Sequence, residues 1–259
     1  MQRLKRNKNI ESFVKEIFLI ENDNNAIKSS LPFYADGFPG IMYSETNHGV
    51  FLQPGNRELS EFFLYGQTIE PIELFIRGSF KLIIFQLYPF AVRLLLGINP
   101  KELNDDCYDL LQLDNINTQH TLDKLIKTRE TSLQVDLITL FLNELVKISS
   151  ANADYRIKLA VNLIISSKGN ITIKKVRDNL YIAERTFERH FTKEIGVTPK
   201  QFAKIIQFNF SLNQLSERDY LSLTEISYSS GFSDQSHFIR TFKRFVGKTP
   251  KEIQEQISV

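Results

Sequence analysis

Two arginines in matching surroundings are the clearest candidates for chemistry in this sequence of 259 residues. Arg189 and Arg240 lie 51 positions apart, and each stands midway between two phenylalanines that are four residues apart. A guanidinium can donate two hydrogen bonds to the O6 and N7 atoms of guanine, so the chemistry expected here is recognition of a base edge by hydrogen bonds. The positions that recur in both copies are Phe187 and Phe238, Arg189 and Arg240, Phe191 and Phe242, Gly196 and Gly247, Thr198 and Thr249, Pro199 and Pro250, and Lys200 and Lys251.

The spacing within each copy predicts a helix that buries its phenylalanines and exposes its arginine. Residues at i and i+4 share one face of a helix, and the residue between them points elsewhere. A glycine such as Gly196 suits the left-handed cap that ends a helix. A Thr-Pro pair then favours a new helix, with threonine as N-cap and proline as the first helical residue.

A shorter apolar helix and a tight turn precede each copy. Residues 173–180 lead to residues 181–183 in the first copy, and residues 224–230 lead to Gly231, Phe232 and Ser233 in the second. Gly231 suits the sharp turn, and we expect Ser233 to cap the helix that follows. Helix, turn and second helix with a basic outer face is the helix-turn-helix pattern.

The net charge of +2 conceals an uneven distribution. Residues 151–259 carry 17 Lys and Arg against 11 Asp and Glu, whereas residues 1–150 carry 15 against 19. This imbalance is compatible with a polyanionic partner for the second half, and equally with a solvated surface.

The residues needed for most catalytic and metal sites are missing. The single cysteine, Cys107, excludes an internal disulfide and a cysteine-based metal site, and the four histidines lack companions at ligand spacing. We find no phosphate-binding glycine loop or nucleophile elbow. No cofactor, metal or catalytic residue is expected. No apolar run approaches the ~20 residues that span a bilayer, so we expect no membrane association and a cytoplasmic setting.

The elements before the repeat change character along the chain. Residues 13–20, 40–43, 62–65, 70–76 and 80–87 are predicted strands, and residues 90–96 a short helix. Two amphipathic helices are expected between Thr118 and Ile148, and a linker at residues 149–152. The fold class is therefore α+β and multidomain: an N-terminal β-sandwich or barrel-like domain with following helices, then an all-α domain of two helix-turn-helix units.

The second copy, from Gly231 through Phe232, Ser233, Gln235, His237, Phe238, Arg240 and Phe242 to Gly247 and Pro250, resembles the signature of the AraC/XylS family of bacterial transcription regulators. The resemblance covers about residues 155–257. The N-terminal half is similar, less specifically, to a domain of undefined function that precedes this module in some members. The features in common are Asp36-Gly37, Gly66-Gln67, Pro71 and residues 85–97.

The resemblance implies two helix-turn-helix units joined by a helix over residues 199–215, with recognition helices in adjacent major grooves. The base contacts it implies are Arg185, Glu188, Arg189, Gln235, Ser236 and Arg240. The implied phosphate contacts are Lys193, Thr241, Lys243 and Arg244. The structural positions of the motif are Phe187, Phe191, Gly196, Pro199, Gly231, Phe232, Phe238, Phe242, Gly247 and Pro250.

The first unit departs from the family pattern. Ala183 stands where a capping serine is common, and Arg177 stands where a small alanine is usual. Ser227 holds the latter position in the second unit. We expect the stem of Arg177 to lie along the surface and the first unit to be looser, with Glu184 and Glu188 diluting its positive charge.

The predicted division is a β-rich regulatory domain at 1–117, coupling or dimerisation helices at 118–150 and a DNA-binding domain at 151–259. Promoter DNA is the expected partner, with RNA polymerase, a small-molecule effector and a second copy as further candidates. Leu133, Leu137, Leu140 and Leu145 could pair two copies or pack on the β-domain. The family favours an activator. A ligand-independent regulator and, with much less support, a DNA-targeted enzyme are the alternatives.

Overall fold

Alternating apolar side chains in the first 110 residues build two antiparallel sheets. The computed structural model describes residues 1–25, 28–114, 116–149, 154–217, 220 and 222–257. The six-stranded sheet has the order β1-β2-β9-β4-β7-β10, and the four-stranded sheet has the order β3-β8-β5-β6. The strands are β1 (Gln2–Leu4), β2 (Val14–Asn22), β3 (Lys28–Phe33), β4 (Gly40–Thr46), β5 (Val50–Gln53), β6 (Arg57–Leu59), β7 (Phe62–Tyr65), β8 (Ile72–Arg77), β9 (Phe80–Leu87) and β10 (Cys107–Asp109).

The six-stranded sheet is buried on both faces because it is the middle of three layers. Along β4, Ile41 and Tyr43 pack in one core, and Met42 between them packs in another. The first core lies under three helices, α1 (Ala91–Leu96), α2 (Thr118–Lys127) and α3 (Thr131–Ile148). The second core is shared with the four-stranded sheet. The predicted sandwich-like N-terminal domain with following helices is thus confirmed.

The predicted strands and the three predicted helices are present, and the short strands were missed. β1, β6 and β10 have three residues each, which is too few to show a period of two. β3 carries Lys28, two serines and Pro32, and it lies at the edge of its sheet, where proline is tolerated.

The described residues of the C-terminal region form seven helices. They are α4 (Tyr155–Ser166), α5 (Ile173–Leu180), α6 (Glu184–Ile195), α7 (Pro199–Glu217), α8 (Leu223–Ser229), α9 (Gln235–Val246) and α10 (Pro250–Ile257). The predicted all-α character and the two helix-turn-helix units are confirmed. The expected linker at 149–152 lies outside the described residues except for Ser149, whose hydroxyl donates to the Leu94 carbonyl at 2.7 Å.

Helix α7 supports both units along its length of ~28 Å, at 1.5 Å per residue. Its Phe202 meets Phe191 of α6 with ring centroids 5.8 Å apart, and its Phe208 meets Phe242 of α9 at 4.9 Å. Between them lies the buried Gln207. The recognition helices α6 and α9 therefore pack against different parts of the single helix α7.

Gln207 also ties the two units together through hydrogen bonds. Its amide donates to the Ser230 carbonyl at 3.0 Å and to the Asn170 side-chain oxygen at 3.3 Å. Asn170 precedes the first helix-turn-helix, and Ser230 lies in the turn of the second. A buried amide that is satisfied from both units fixes how they face each other.

The N-terminal domain contacts α7 through residues 36–38. Gly37 has a φ of +80°, and a Cβ there would lie 3.1 Å from both Phe202 and Ile206 of α7. The Asn209 amide donates to the Asp36 carbonyl at 3.2 Å. Phe38 packs in the core of the first unit. A side chain at position 37 would therefore strain the backbone and require Phe202 and Ile206 to shift by a few tenths of an ångström.

The Asp36 carboxyl is buried at this contact. Burial raises its pKa to about 6, although the Phe38 amide (2.8 Å), the Lys15 charge and the Gln86 amide (2.5 Å) all act to lower it. The Lys15 ammonium lies 3.6 Å from the centre of the Phe38 ring. Because the folded protein holds this proton more tightly than the unfolded chain, ionising Asp36 weakens the fold.

We expect Asp36→Asn to flatten the pH dependence of stability. The free energy of unfolding of the wild-type protein should fall by up to about 3 kcal/mol relative to that of the variant as the pH rises from about 4 to about 7. The reason is that the raised pKa makes the folded state release this proton at a higher pH than the unfolded chain does. Urea unfolding across this range measures the difference. Asp136→Asn on exposed α3 is the control, and parallel profiles for Asp36→Asn and wild type would contradict the prediction.

Candidate DNA-binding surface

Helix α6 begins without a side-chain cap. Its N-cap residue is Ala183, so no side-chain oxygen receives the first free amides. The residue that ends α5, Tyr181, has a φ of 52° and a side chain that is 96% exposed. A left-handed tyrosine in the turn is an unusual choice, because glycine adopts this conformation without steric cost.

Arg177 is held by charges at this turn. Its guanidinium donates to the Glu184 carboxylate at 2.8 Å and lies 3.9 Å from Asp178. The expected surface position of its stem fits a side chain that is 21% exposed. The Glu184 carboxylate thus forms an ion pair within the protein. Its negative charge also lies in the first turn of α6, where it interacts favourably with the helix dipole.

Helix α9 begins differently, and the expected cap is wrong. Asp234, not Ser233, is the N-cap, with its carboxylate accepting from the His237 amide at 2.7 Å. The hydrogen bonds from this amide and from the Ser233 hydroxyl, at 3.0 Å, lower the pKa of Asp234. Two adjacent residues could both cap, and the sequence alone did not decide between them. A carboxylate here is also favoured by the helix dipole.

The two units differ by one residue in the turn. Their first helices are capped by Thr172 and Ser222, 50 positions apart, whereas the recognition helices are capped by Ala183 and Asp234, 51 apart. Tyr181 in the first turn and Gly231, with a φ of 77°, in the second hold the same left-handed position, so the extra residue of the second turn follows Gly231. A Cβ at Gly231 would lie 2.0 Å from the Asn170 side-chain oxygen, so any other residue there would displace that side chain.

The six side chains predicted to contact bases are all exposed on the recognition helices. The α9 residues Ser236 and Arg240 are four apart and share a face. Residues 185, 188, 189 and 192 have the same relation on α6. Those on α6 are Arg185, Glu188 and Arg189, and those on α9 are Gln235, Ser236 and Arg240. Their roles as base contacts stay predictions.

Three of the four predicted phosphate contacts are exposed. Lys193, Lys243 and Arg244 all face solvent near the ends of their helices. Thr241 does not, since it is 8% exposed and its hydroxyl donates to the His237 carbonyl at 2.9 Å. Its assignment as a phosphate contact was wrong because it lies three residues after Phe238 and one before Phe242, on the inner face.

The structural positions of the motif lie where the repeat predicted. Phe187, Phe191, Phe238 and Phe242 are completely buried. Gly196 and Gly247 end their helices at left-handed φ values of 90° and 73°. Pro199 and Pro250 begin α7 and α10, and Phe232 packs in the core of the second unit.

The four leucines proposed for pairing do not share one face. Leu133 and Leu140 are 49% and 58% exposed, and Leu137 is partly buried. Leu145 is 1% exposed in the core under the sheet, so it cannot form part of a pairing face. Ile126 and Ile148 are exposed instead. The period of α3 could not reveal which of its apolar stripes faced its own domain.

The described residues hold no His, Cys, Asp and Glu cluster suited to a metal ion. Cys107 is buried, and burial raises its pKa to about 12, which leaves it protonated. Among the residues that the structure describes, no helix has both the length and the apolar character of a membrane span.

Comparison with known proteins adds two domain matches. Residues 178–256 match a helix-turn-helix domain, and residues 2–109 match a domain of unknown function, DUF6597. The HTH-type transcriptional activator RhaS of Escherichia fergusonii is 25% identical over 184 residues, which are 64% of this chain and 66% of RhaS. RhaS of Yersinia pestis is 29% identical over 83 residues, 32% of this chain and 30% of that protein. The matches thus span less than two thirds of these relatives.

The fold as a whole is similar to that of a protein whose structure has been solved. ToxT from Vibrio cholerae superposes with a TM-score of 0.53 over 96% of this chain and 100% of that chain, at 16% identity. ToxT bound to an unsaturated fatty acid gives a TM-score of 0.50 over 97% of both chains, at 15% identity. With its two helix-turn-helix units behind a domain that matches DUF6597, the chain is similar in sequence to the RhaS activators and in fold to ToxT.

Proposed function

We propose that this protein is a sequence-specific, DNA-binding transcription regulator. The observation that carries the proposal is a pair of exposed, arginine-bearing helix faces, on α6 and α9, seated on the single helix α7. Arginines on an exposed helix are suited to guanine edges and phosphates. The buried amide of Gln207 holds the two faces in one arrangement, as simultaneous binding to adjacent major grooves requires.

The two faces differ, so one copy should read an asymmetric site. Helix α6 offers Arg185, Glu188 and Arg189, which suit guanine and cytosine, whereas α9 offers Gln235 and Arg240, which suit adenine and guanine. The α7 rod of ~28 Å is shorter than the ~34 Å between successive major grooves on straight DNA. Tilted helices or bent DNA would make up the difference.

Activation is the proposed direction of regulation, through contact with RNA polymerase in the cytoplasm. It is supported by the relatives, which are named as transcriptional activators. The proposed division into residues 1–117, 118–150 and 151–259 assigns regulation, coupling and DNA binding in that order. We assign no catalytic activity, because the relatives that the chain matches are named as transcriptional activators.

The N-terminal domain is proposed to sense a small molecule. A cavity of about 740 Å³ lies between the domains, lined by Lys15, Asp36 and Gln86 on one side and by Asn209 and Asn213 of α7 on the other. A ligand there would contact α7, the helix against which both recognition helices pack. The fatty acid in ToxT supports a ligand in a protein of this fold. The alternative is a domain that serves only as a dimerisation platform, through exposed Leu133 and Leu140 of α3.

Selection of bound sequences from a random duplex library, with the full chain, tests the regulator proposal. We expect an asymmetric motif of two blocks about one helical turn apart. Direct repeats of that motif would support pairing of two copies. The chain carrying Arg189→Ala and Arg240→Ala is the control and should enrich nothing. No enrichment from wild type, with or without bacterial metabolite extract, would contradict the proposal.

Single substitutions on α9 should separate base reading from phosphate binding. Arg240→Ala should weaken specific binding by about 1–3 kcal/mol and relax the preference at one base position. Lys243→Ala should weaken binding to every sequence and lower the salt slope by about 1. Titrations of matched and mutated operators at several salt concentrations measure both. An equal loss on all sequences for Arg240→Ala would make that residue a phosphate contact.

The sensor and the platform differ in their response to small molecules. A ligand that binds only the folded protein must raise its melting temperature, by an amount that grows with ligand concentration. We expect a metabolite screen to yield such a ligand, and Asn213→Leu in the cavity wall to abolish the shift. If the shift is retained in Asn213→Leu, the ligand binds elsewhere. No stabilising compound at all would favour the platform.

A further inference from the structure

The N-terminal domain lies beside the exposed face of α6 that carries the predicted base contacts of the first unit. A groove of about 560 Å³ runs beside α6, and one of its walls is formed by Arg185, Glu188, Arg189, Thr192 and Lys193. The other wall is formed by Arg93, Asn99 and Lys101 of the N-terminal domain. The predicted base contacts of α6 therefore face residues that lie outside the helix-turn-helix domain.

This second wall is fixed to the end of α6 by direct contacts. The Gln67 amide donates to the Ile195 carbonyl at 2.6 Å, and the Asn104 amide donates to the Gly196 carbonyl at 3.1 Å. A Cβ at Gly196 would lie 2.7 Å from the Pro100 carbonyl carbon, which leaves no room for a side chain. The distance between the two walls is thus set by the fold.

On the wall formed by the N-terminal domain, Lys101 is the basic residue without an ion-pair partner among the described residues. Arg93 forms an ion pair with Glu194 at 3.5 Å. The Glu102 carboxylate accepts from the Asn99 amide at 2.7 Å. Lys101 is exposed, lies in the one-turn 3-10 helix at Pro100–Leu103, and makes no ion pair among the described residues. Lys101 lines the same groove as three basic residues and one acidic residue of α6.

Two basic walls that do not neutralise each other repel unless an anion lies between them. A recognition helix in a major groove is flanked by the two phosphate backbones, which are the polyanion nearest to its sides. We propose that Lys101, with the loop at residues 99–101, binds the phosphate backbone beside α6, so that the N-terminal domain forms part of the DNA-binding surface. The inference rests on the proposed function.

The test is the salt dependence of operator binding by the full chain. Lys101→Ala should lower affinity about 3- to 10-fold on matched and mutated operators alike, and should lower the salt slope by about 0.9. Lys124→Ala, which removes one exposed lysine from α2, is the matched control and should leave both unchanged. Lys243→Ala reports separately on α9.

Three results would overturn the inference. Equal behaviour of Lys101→Ala and Lys124→Ala would show that the loop does not touch DNA. Tighter binding by Lys101→Ala would show that the wall obstructs DNA. A loss on the matched operator alone would make Lys101 a base contact. If wild type still enriches a motif from the random library in these cases, the regulator proposal stands without the inference, whereas no enrichment would remove both.

Discussion

Burial of α7 on nearly all sides is the constraint on which the rest of the molecule depends. One end of this helix receives the phenylalanines of the first recognition helix, the other end receives those of the second, and residues 36–38 of the N-terminal domain pack between. These three sets of side chains all pack against one helix that is about 10 Å in diameter. Close packing makes such an arrangement stiff, so a shift at one surface must be taken up by another.

This constraint explains why a polar residue lies in the middle of an apolar helix. Gln207 bonds to groups from both units, so replacing it with leucine would leave the Ser230 carbonyl without this donor. An apolar contact is non-directional and would tolerate sliding, whereas an amide with two specific acceptors defines one orientation. The orientation of the reading faces is therefore set by hydrogen-bond geometry as well as by the hydrophobic effect.

The repeat predicted most of the C-terminal region because each of its positions has a local cause. Paired phenylalanines, a left-handed glycine and a Thr-Pro restart act within a few residues, and the structure retains all of them. Thr241 was assigned as a phosphate contact from the family resemblance, whereas its position beside Phe242 is internal. The choice of Asp234 over Ser233 as cap depended on one residue of turn length, which the recognition helices alone do not show.

Contacts between distant segments could not be predicted in this way. Nothing near Asp36, Gln67 or Asn104 in the sequence indicates that they meet α6 or α7, since those contacts join residues about 90 to 170 positions apart. The same holds for α3, whose apolar stripe fits both its own sheet and a second copy. Only the fold shows that Leu145 faces inward while Leu140 faces out.

The core of the first helix-turn-helix unit includes Phe38 and Phe90, which belong to the N-terminal domain. Among the described residues, the core of the second unit includes Ala35 from that domain, with Tyr34 partly buried against it. Local unfolding follows such differences in shared packing. We therefore expect backbone amides of α8 to α10 to exchange hydrogen through a partial opening that leaves the rest intact, and those of α5 and α6 to exchange only when the N-terminal domain opens as well. On this expectation, the unit without a side-chain cap on its recognition helix is the unit held more firmly in place.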